Sequence, residues 1–238
     1  MNHDRVRVSV IIPTHNEAGA IERVLADLPS DLTTDVIVVD SNSTDGTPEI
    51  AAKMGVRVIQ EPGRGYGRAC LTGLAEANSP DIVVFLDGDY SDRPSELPIL
   101  LAPIIDGDAD ITLGSRLGKQ SIRGALPWHQ AFGNRLAASL IRLLYGLKIT
   151  DLGPFRAGRA DVLRALALEE TTYGWAVEMI LKGALAGFRV VEVPVSYYPR
   201  IGKSKISGTL KGTLGAGWFI LSLIVKYCFH RRSRTRPE

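Results

Sequence analysis

The amino-acid sequence predicts an α/β fold: a mostly parallel central sheet flanked by helices, with an apolar helix at the C-terminal end. Three observations carry that prediction. Short β-branched runs alternate with helical patterns through the first half of the chain. The runs at residues 6–12, 35–39 and 82–86 each stop at a polar, acid-bearing segment, as strands do where they open into ligand-binding loops. A last apolar stretch, residues 212–229, leads into a tail of arginines.

Each element follows from its own pattern. Residues 6–12 form a first strand, ended by Pro13. Asn16 and Glu17 precede an amphipathic helix through Ile21, Val24, Leu25 and Leu28. Residues 35–39 make a second, buried strand that stops at Asp40, followed by a polar turn over 41–46. Thr47 caps a helix with Pro48 at its first position. Residues 56–59 are a third strand, and a glycine-rich loop over 63–67 enters a helix over 68–77. Residues 82–86 are a fourth strand, because a Val- and Ile-rich run of this length reads as buried in a parallel sheet. A helix over 94–105 and a strand over 111–113 complete the alternation. Beyond Gly114 the pattern changes to helices over 131–145 and 172–186, with a strand over 189–193 before Pro194.

Composition narrows the function. A chain of 238 residues buries a full core as one large domain, or as one domain with an appendage. A net charge of +2 gives no global basic field, so nucleic acid is excluded as a partner. The charge is uneven, with four arginines between residues 230 and 236. Cys70 and Cys228 lie far apart in unlike settings, which predicts reduced thiols in a reducing compartment. No apolar h-region precedes the first strand, so a signal peptide is not expected.

The segment D-I-V-V-F-L-D-G-D-Y-S-D, residues 81–92, holds the most chemistry. Asp87 and Asp89 stand one glycine apart where a central strand opens into a loop. Two hard anionic groups there suit a divalent cation, Mg²⁺ or Mn²⁺, that also holds substrate phosphates. Asp-Gly is equally turn chemistry, so the motif alone leaves both readings open. The run G-R-G-Y-G-R, residues 63–68, fails the G-x-G-x-x-G spacing and does not follow the first strand, so it is not a dinucleotide fingerprint.

The ordered set P-x-x-N-E at 13–17, D-S-x-S-x-D-G-T at 40–47 and D-G-D at 87–89 resembles the family 2 glycosyltransferases. These have the GT-A fold, the Rossmann-like nucleotide-diphospho-sugar transferase architecture. Within them the chain is most similar to the polyprenyl-phosphate branch, dolichol-phosphate mannose synthases included, from residue 8 to about 212. The resemblance implies a nucleotide-sugar donor. Pro13, Thr14 and Glu17 would lie along its base and ribose. Asp40 would accept the base imino N–H, a task that suits an acceptor-only carboxylate, with Ser41 and Asn42 beside it. Ser41 stands where the family often has a second Asp. Asp45-Gly46-Thr47 reads better as a turn and helix cap than as a contact. Gly67 and Arg68 would flank the nucleotide, a solvated helix position being the equal alternative for Arg68. Asp87, Gly88 and Asp89 become the metal and diphosphate site, and Arg116, in G-S-R, a bidentate phosphate ligand.

The second half matches the lipid-phosphate branch. D-x-x-x-F-R at 151–156 brings in Asp151 and Arg156, and Y-G-W-A-V-E-M at 173–179 puts Glu178 on a helix near the site. Residues 200–205 hold three cations, a glycine and a serine, so Arg200, Ser204 and Lys205 are expected on phosphates. Asn134 and Arg135 sit at a helix start where the family approaches its acceptor. Asp151 is the first choice for any base or orienting role, Glu178 the second, and Arg200 the third catalytic group.

Residues 212–229 fall short of the roughly 20 needed to span a bilayer, and Ser222 and Lys226 interrupt them. They fit an interfacial or re-entrant helix with the arginine tail on anionic lipid. A core helix, or one that meets a partner's transmembrane helix, is the alternative. The expected organisation is a GT-A domain over 1–208 and a membrane-associating helix with basic tail over 209–238, on the cytoplasmic face of the membrane. A membrane protein or a second copy of the chain is a further partner in this reading.

The activity expected is inverting transfer of a sugar from a GDP- or UDP-linked donor to polyprenyl phosphate. One rival is transfer to a hydroxyl acceptor, which needs a base. The other is a catalytically silent nucleotide-sugar-binding subunit of a membrane complex. The basic run and apolar C-terminus argue against the first, and intact Asp87, Asp89, Asp151 and Arg200 against the second.

Overall fold

The computed structural model describes residues 6–117, 127–202 and 210–234, with side chains in the last segment at 215 and 217–228. Seven strands form one sheet in the order β3-β2-β1-β4-β6-β5-β7. They are β1 (Val8–Thr14), β2 (Asp35–Asp40), β3 (Arg57–Gln60), β4 (Ile82–Phe85), β5 (Ile111–Ser115), β6 (Arg156–Arg159) and β7 (Val190–Pro194). The helices are α1 (Ile21–Ala26), α2 (Thr47–Lys53), α3 (Tyr66–Glu76), α4 (Leu97–Ile105), α5 (Trp128–Tyr145), α6 (Ala160–Ala165), α7 (Trp175–Leu185) and α8 (Leu210–Arg234).

The strands are buried on both faces, so their sequences are continuous apolar runs split by the period of two. Ile11, Ile37, Val39, Val83, Phe85, Ile111 and Leu113 point to one face and pack with α3, α5, α7 and α8. Val10, Ile12, Val38, Val84, Leu86 and Ala157 point to the other and pack with α1 and α4. Each such fully buried Ile, Val or Leu contributes about 1.5–3 kcal/mol of transfer free energy.

β1 runs one residue past Pro13, which pairs with Val39, although a proline was expected to end the strand. The Pro13 nitrogen shares the side of Ile11, which faces β4, and β4 pairs with β1 only as far as Ile11. No ladder bond is therefore lost.

β6 and α6 were not expected from sequence. β6 is R-A-G-R, with a glycine and no β-branched residue, and it lies antiparallel between β4 and β5. Its strand conformation comes from the two neighbours, not from local propensity. The Thr47 cap is also corrected. Gly46, at φ +90°, precedes α2, and the Thr47 hydroxyl instead accepts Glu17 N–H at 2.8 Å and donates to Asp45 at 2.5 Å.

The C-terminal apolar stretch is part of α8, which packs on α5 and α7. Leu223 and Ile224 are buried in the same cluster as the sheet, with Phe219, Ile220 and Tyr227 half-buried against it. The Tyr145 hydroxyl donates to Ile224 O at 2.5 Å. No helix among the described residues is long and apolar enough to cross a membrane. Cys70 is buried and Cys228 half-buried, both as free thiols.

Candidate active site

Topology gathers the chemistry on one edge. β1, β2, β4, β5 and β7 are mutually parallel through their pairings or crossovers, so their carboxyl ends share an edge. β6 runs the other way, so its beginning, residues 151–156, arrives at that same edge. Pro13 to Glu17, Asp40, Asp87 to Asp89, Arg116, Asp151 and Arg200 thereby converge from separate parts of the chain.

Asp87 and Asp89 follow β4. Gly88 between them has no room for a side chain, since a Cβ would lie 2.9 Å from Thr14 Cγ2. Asp87 Oδ1 and the Tyr66 hydroxyl are both buried and, among the described residues, have no close hydrogen-bond partner; the two groups lie near enough for the phenol to favour the carboxylate. Burial, then the charge of Asp89, push the Asp87 carboxyl up to about 7 against the opposing pull of Tyr66, Arg116 and Arg200. Asp89 Oδ1 accepts from Ser91 N at 2.9 Å and Ser91 Oγ at 2.6 Å, while Oδ2 faces Arg200 at 3.3 Å.

Arg200 bridges two loops. One nitrogen meets Glu17 at 3.0 Å and the other meets Asp89. The strap that carries it is zipped to the Asp89 loop by backbone bonds, Tyr198 N to Ser91 O and Ile201 N to Asp89 O, each 2.9 Å. Arg93 stacks between the rings of Tyr90 and Tyr198, at 4.2 and 3.7 Å. Ser196 anchors the start of the strap on Glu96.

Asp151 is the hub of a second cluster at this edge. Its fully buried carboxylate accepts Arg116 Nε at 2.7 Å, Arg116 Nη2 at 2.9 Å, Asn134 Nδ2 at 2.9 Å, and the backbone N–H groups of Arg116 and Leu152. Burial opposes its ionisation, but the bonds and charge of Arg116 outweigh that and hold the carboxyl below its usual value. Burial likewise lowers Arg116, and Asp151 more than reverses it.

The geometry gives each expected site residue a definite setting. Asp151, expected in a base or orienting role, holds an ionised carboxylate occupied by five donors, an arrangement that suits the orienting role. The Arg116 fork that was expected on phosphate is directed at Asp151. Asp40 is fully buried and accepts from Thr14 Oγ1, Ser43 N and Ser43 Oγ, so it holds the 41–44 turn against β1. Ser41 is buried and closes the same turn onto Thr14 O, while Asn42 is exposed and donates to Pro62 O. Gly67 is in α3, pressed on the 170–172 loop, where a Cβ would lie 2.4 Å from Glu170 O. Arg68 is exposed on the first turn of α3.

Glu178 is buried away from the carboxylate set. It accepts from Glu169 N, Glu170 N, Lys182 Nζ and Tyr227 Oη, which ties α7 to α8. Arg156 is fully buried and donates to the carbonyls of Gly153, Pro154 and Ala176, so no phosphate reaches it. Asn134 reaches the site through Asp151, but Arg135 is exposed. Ser204 and Lys205 lie outside the described residues.

Asp92 was passed over in the sequence. It is buried, neither oxygen has a hydrogen-bond partner among the described residues, and burial followed by repulsion from Asp87 pushes it well up. Its backbone bridges Tyr197, over whose ring Arg116 lies at 5.1 Å. The only signal was its place three residues beyond the D-G-D motif.

Comparison with known proteins agrees with the geometry. Residues 9–167 match the model of Glycosyl transferase family 2. An uncharacterised glycosyltransferase of Mycobacterium tuberculosis is 37% identical over 208 residues, 87% of this chain and 93% of that one. A dolichyl-phosphate hexose transferase of Haloferax volcanii is 34% identical over 230 residues, 95% of this chain and 96% of that one. An undecaprenyl-phosphate mannosyltransferase of Micrococcus luteus is 35% identical over 229 residues, 87% and 90% of the two chains. Glucosyl-3-phosphoglycerate synthase of Mycobacterium tuberculosis, solved with Mn²⁺, UDP-glucose and phosphoglyceric acid, shares the fold with a TM-score of 0.76 at 23% identity, over 94% of this chain and 80% of that one. The chain is a glycosyltransferase of GT-A fold and belongs to glycosyl transferase family 2.

Proposed function

We propose that this glycosyltransferase moves a hexose, with inversion, from a nucleoside-diphosphate sugar to a polyprenyl phosphate. The observation that carries the proposal is the pairing of two carboxylates, Asp87, with a buried oxygen that has no close partner among the described residues, and Asp89, which Arg200 of the strap meets. The names of the Haloferax and Micrococcus relatives supply the acceptor class.

The residues present fit a divalent cation. No group of three or more Asp, Glu, His or Cys among the described residues is arranged to hold one. Two carboxylates, one with an unsatisfied oxygen and a raised proton affinity, instead suit a hard cation whose other ligands come from phosphates. Asp87 and Asp89 would hold Mg²⁺ or Mn²⁺, which when bound offsets the charge of the departing nucleoside diphosphate.

The protein's own groups then do three things. Arg200, already the counter-ion of Asp89 and Glu17, is released toward phosphate oxygens as anions enter. Arg116, Asn134 and Asp151 form a rigid wall that fixes where the acceptor sits. No base is required, because a phosphate monoester has a second pKa of about 6 and attacks already ionised. A hydroxyl acceptor would need a base, and the two carboxylates nominated for it, Asp151 and Glu178, are saturated by donors. We place the enzyme peripherally on the cytoplasmic face of the membrane, where such an acceptor is found.

The test is an acceptor swap with the full chain. Supplied with GDP- and UDP-hexoses and Mg²⁺ or Mn²⁺, the enzyme should glycosylate polyprenyl phosphate and leave polyprenol untouched. Efficient transfer to polyprenol or to a soluble alcohol would overturn the proposal.

A further inference from the structure

Helix α5 turns an apolar face to solvent. Trp128 is 81% exposed, Phe132 65%, Leu136 41% and Leu143 79%. At 3.6 residues per turn these four side chains fall within an arc of about 80°. The opposite face carries Ala137, Ala138 and Ile141 into the core. Exposed Arg135 and Arg142 flank the apolar arc, within about 40° of its edge. Helix α8, packed against α5, also exposes Trp218 (77%), Val225 (42%) and Lys226. Neither helix contains a single Asp or Glu.

We propose that this exposed face of α5 is a docking surface for an anionic lipid bilayer. The charge pattern selects that occupant. Apolar side chains flanked by arginines, on two helices free of acids, match an interface with acyl chains inside and anionic headgroups around them. Contiguous exposed apolar side chains rimmed by charge mark an interaction surface. The inference rests on the lipid-acceptor reading for its purpose: α5 also supplies Asn134, bonded to Asp151, so one helix joins the bilayer to the wall of the site. The docking element expected at the C-terminal stretch is thereby redistributed, since Leu223 and Ile224 of α8 are committed to the core.

The test uses the full chain and the double variant Trp128→Gln/Phe132→Gln. Both positions are exposed and outside the binding machinery, so melting temperature and transfer to a water-soluble short-chain polyprenyl phosphate should match the native enzyme. Flotation is measured with vesicles of phosphatidylcholine, alone and mixed with phosphatidylglycerol. The native chain should float with the mixed vesicles, and the variant should partition about tenfold less or weaker still. Its transfer to long-chain polyprenyl phosphate in those vesicles should fall in parallel. Equal flotation of native and variant chains, or no flotation of the native chain, overturns the proposal. So does light scattering in which the substitutions turn a dimer into a monomer without altering flotation, which would assign the face to a second copy. If no polyprenyl phosphate of any length is a substrate yet flotation still depends on Trp128 and Phe132, the acceptor reading falls and the docking surface stands.

Discussion

Arg116 grips Asp151 with two prongs, 2.7 and 2.9 Å long, at a point where the carboxylate is fully buried. The pair joins the end of β5 to the segment that opens β6, so it fixes the wall of the site and the sheet together. Removing one partner of a buried pair leaves the other charge uncompensated. Asp151→Asn should therefore cost about 3–5 kcal/mol of stability, read as a lower melting temperature, with activity falling alongside. A variant that loses activity at unchanged stability would restore Asp151 as a base.

The same pair sets an acid limb. The folded-state pKa of Asp151 lies below its usual 3.8, so the unfolded chain binds more protons in that range. The stabilisation is complete above the unfolded value and is lost as pH falls through the folded one. Denaturation as a function of pH should show the stability gap between native and Asp151→Asn chains shrinking on acidification below 3.8. A gap that widens there would contradict the ion pair.

Glu178 separates structure from catalysis. Glu178→Gln should lower stability by about 1.5–3 kcal/mol, the range for a hydrogen bond to a charged group, through the loss of Lys182 and the clamp to α8. The kcat and KM for donor and acceptor should stay within a few-fold. A large fall in kcat with an intact fold would return Glu178 to the catalytic set.

Arg200 behaves in the opposite sense. Arg200→Ala should cost transfer on the order of 2–4 kcal/mol, as for one positioned electrostatic stabiliser. Donor binding measured without acceptor should fall less. Calorimetry and kinetics on the same preparation decide between this and a purely structural strap, which would lower both equally.

Much of this was legible in the sequence. The strand ends near Asp40 and Asp87 were visible because parallel strands buried on both faces leave apolar runs that stop at polar loops, whereas β5 runs two residues past the 111–113 read from the sequence. β6 was not, since R-A-G-R is held as a strand only by β4 and β5. Site roles failed where the residue type fits two tasks. A buried Arg156 on three carbonyls and an exposed phosphate-binding arginine read alike in one dimension. Asp40 illustrates the same ambiguity, since both of its carboxylate oxygens already take part in the D-S-x-S turn. Asp92 and Tyr66 were missed because an unpartnered buried oxygen is a property of packing, not of a motif.

The account rests on Asp87 and Asp89 as the place where donor diphosphate and divalent cation meet. The most direct measurement is lipid-product formation from labelled nucleotide-sugar by the native chain, by Asp89→Ala, and by the native chain with its divalent cation chelated. Asp89 lies on a loop beyond β4, so the variant should keep its fold by circular dichroism. The prediction is product from the native chain with Mg²⁺ or Mn²⁺, and essentially none from the other two. Near-native turnover by Asp89→Ala, or by the chelated enzyme, would contradict the account.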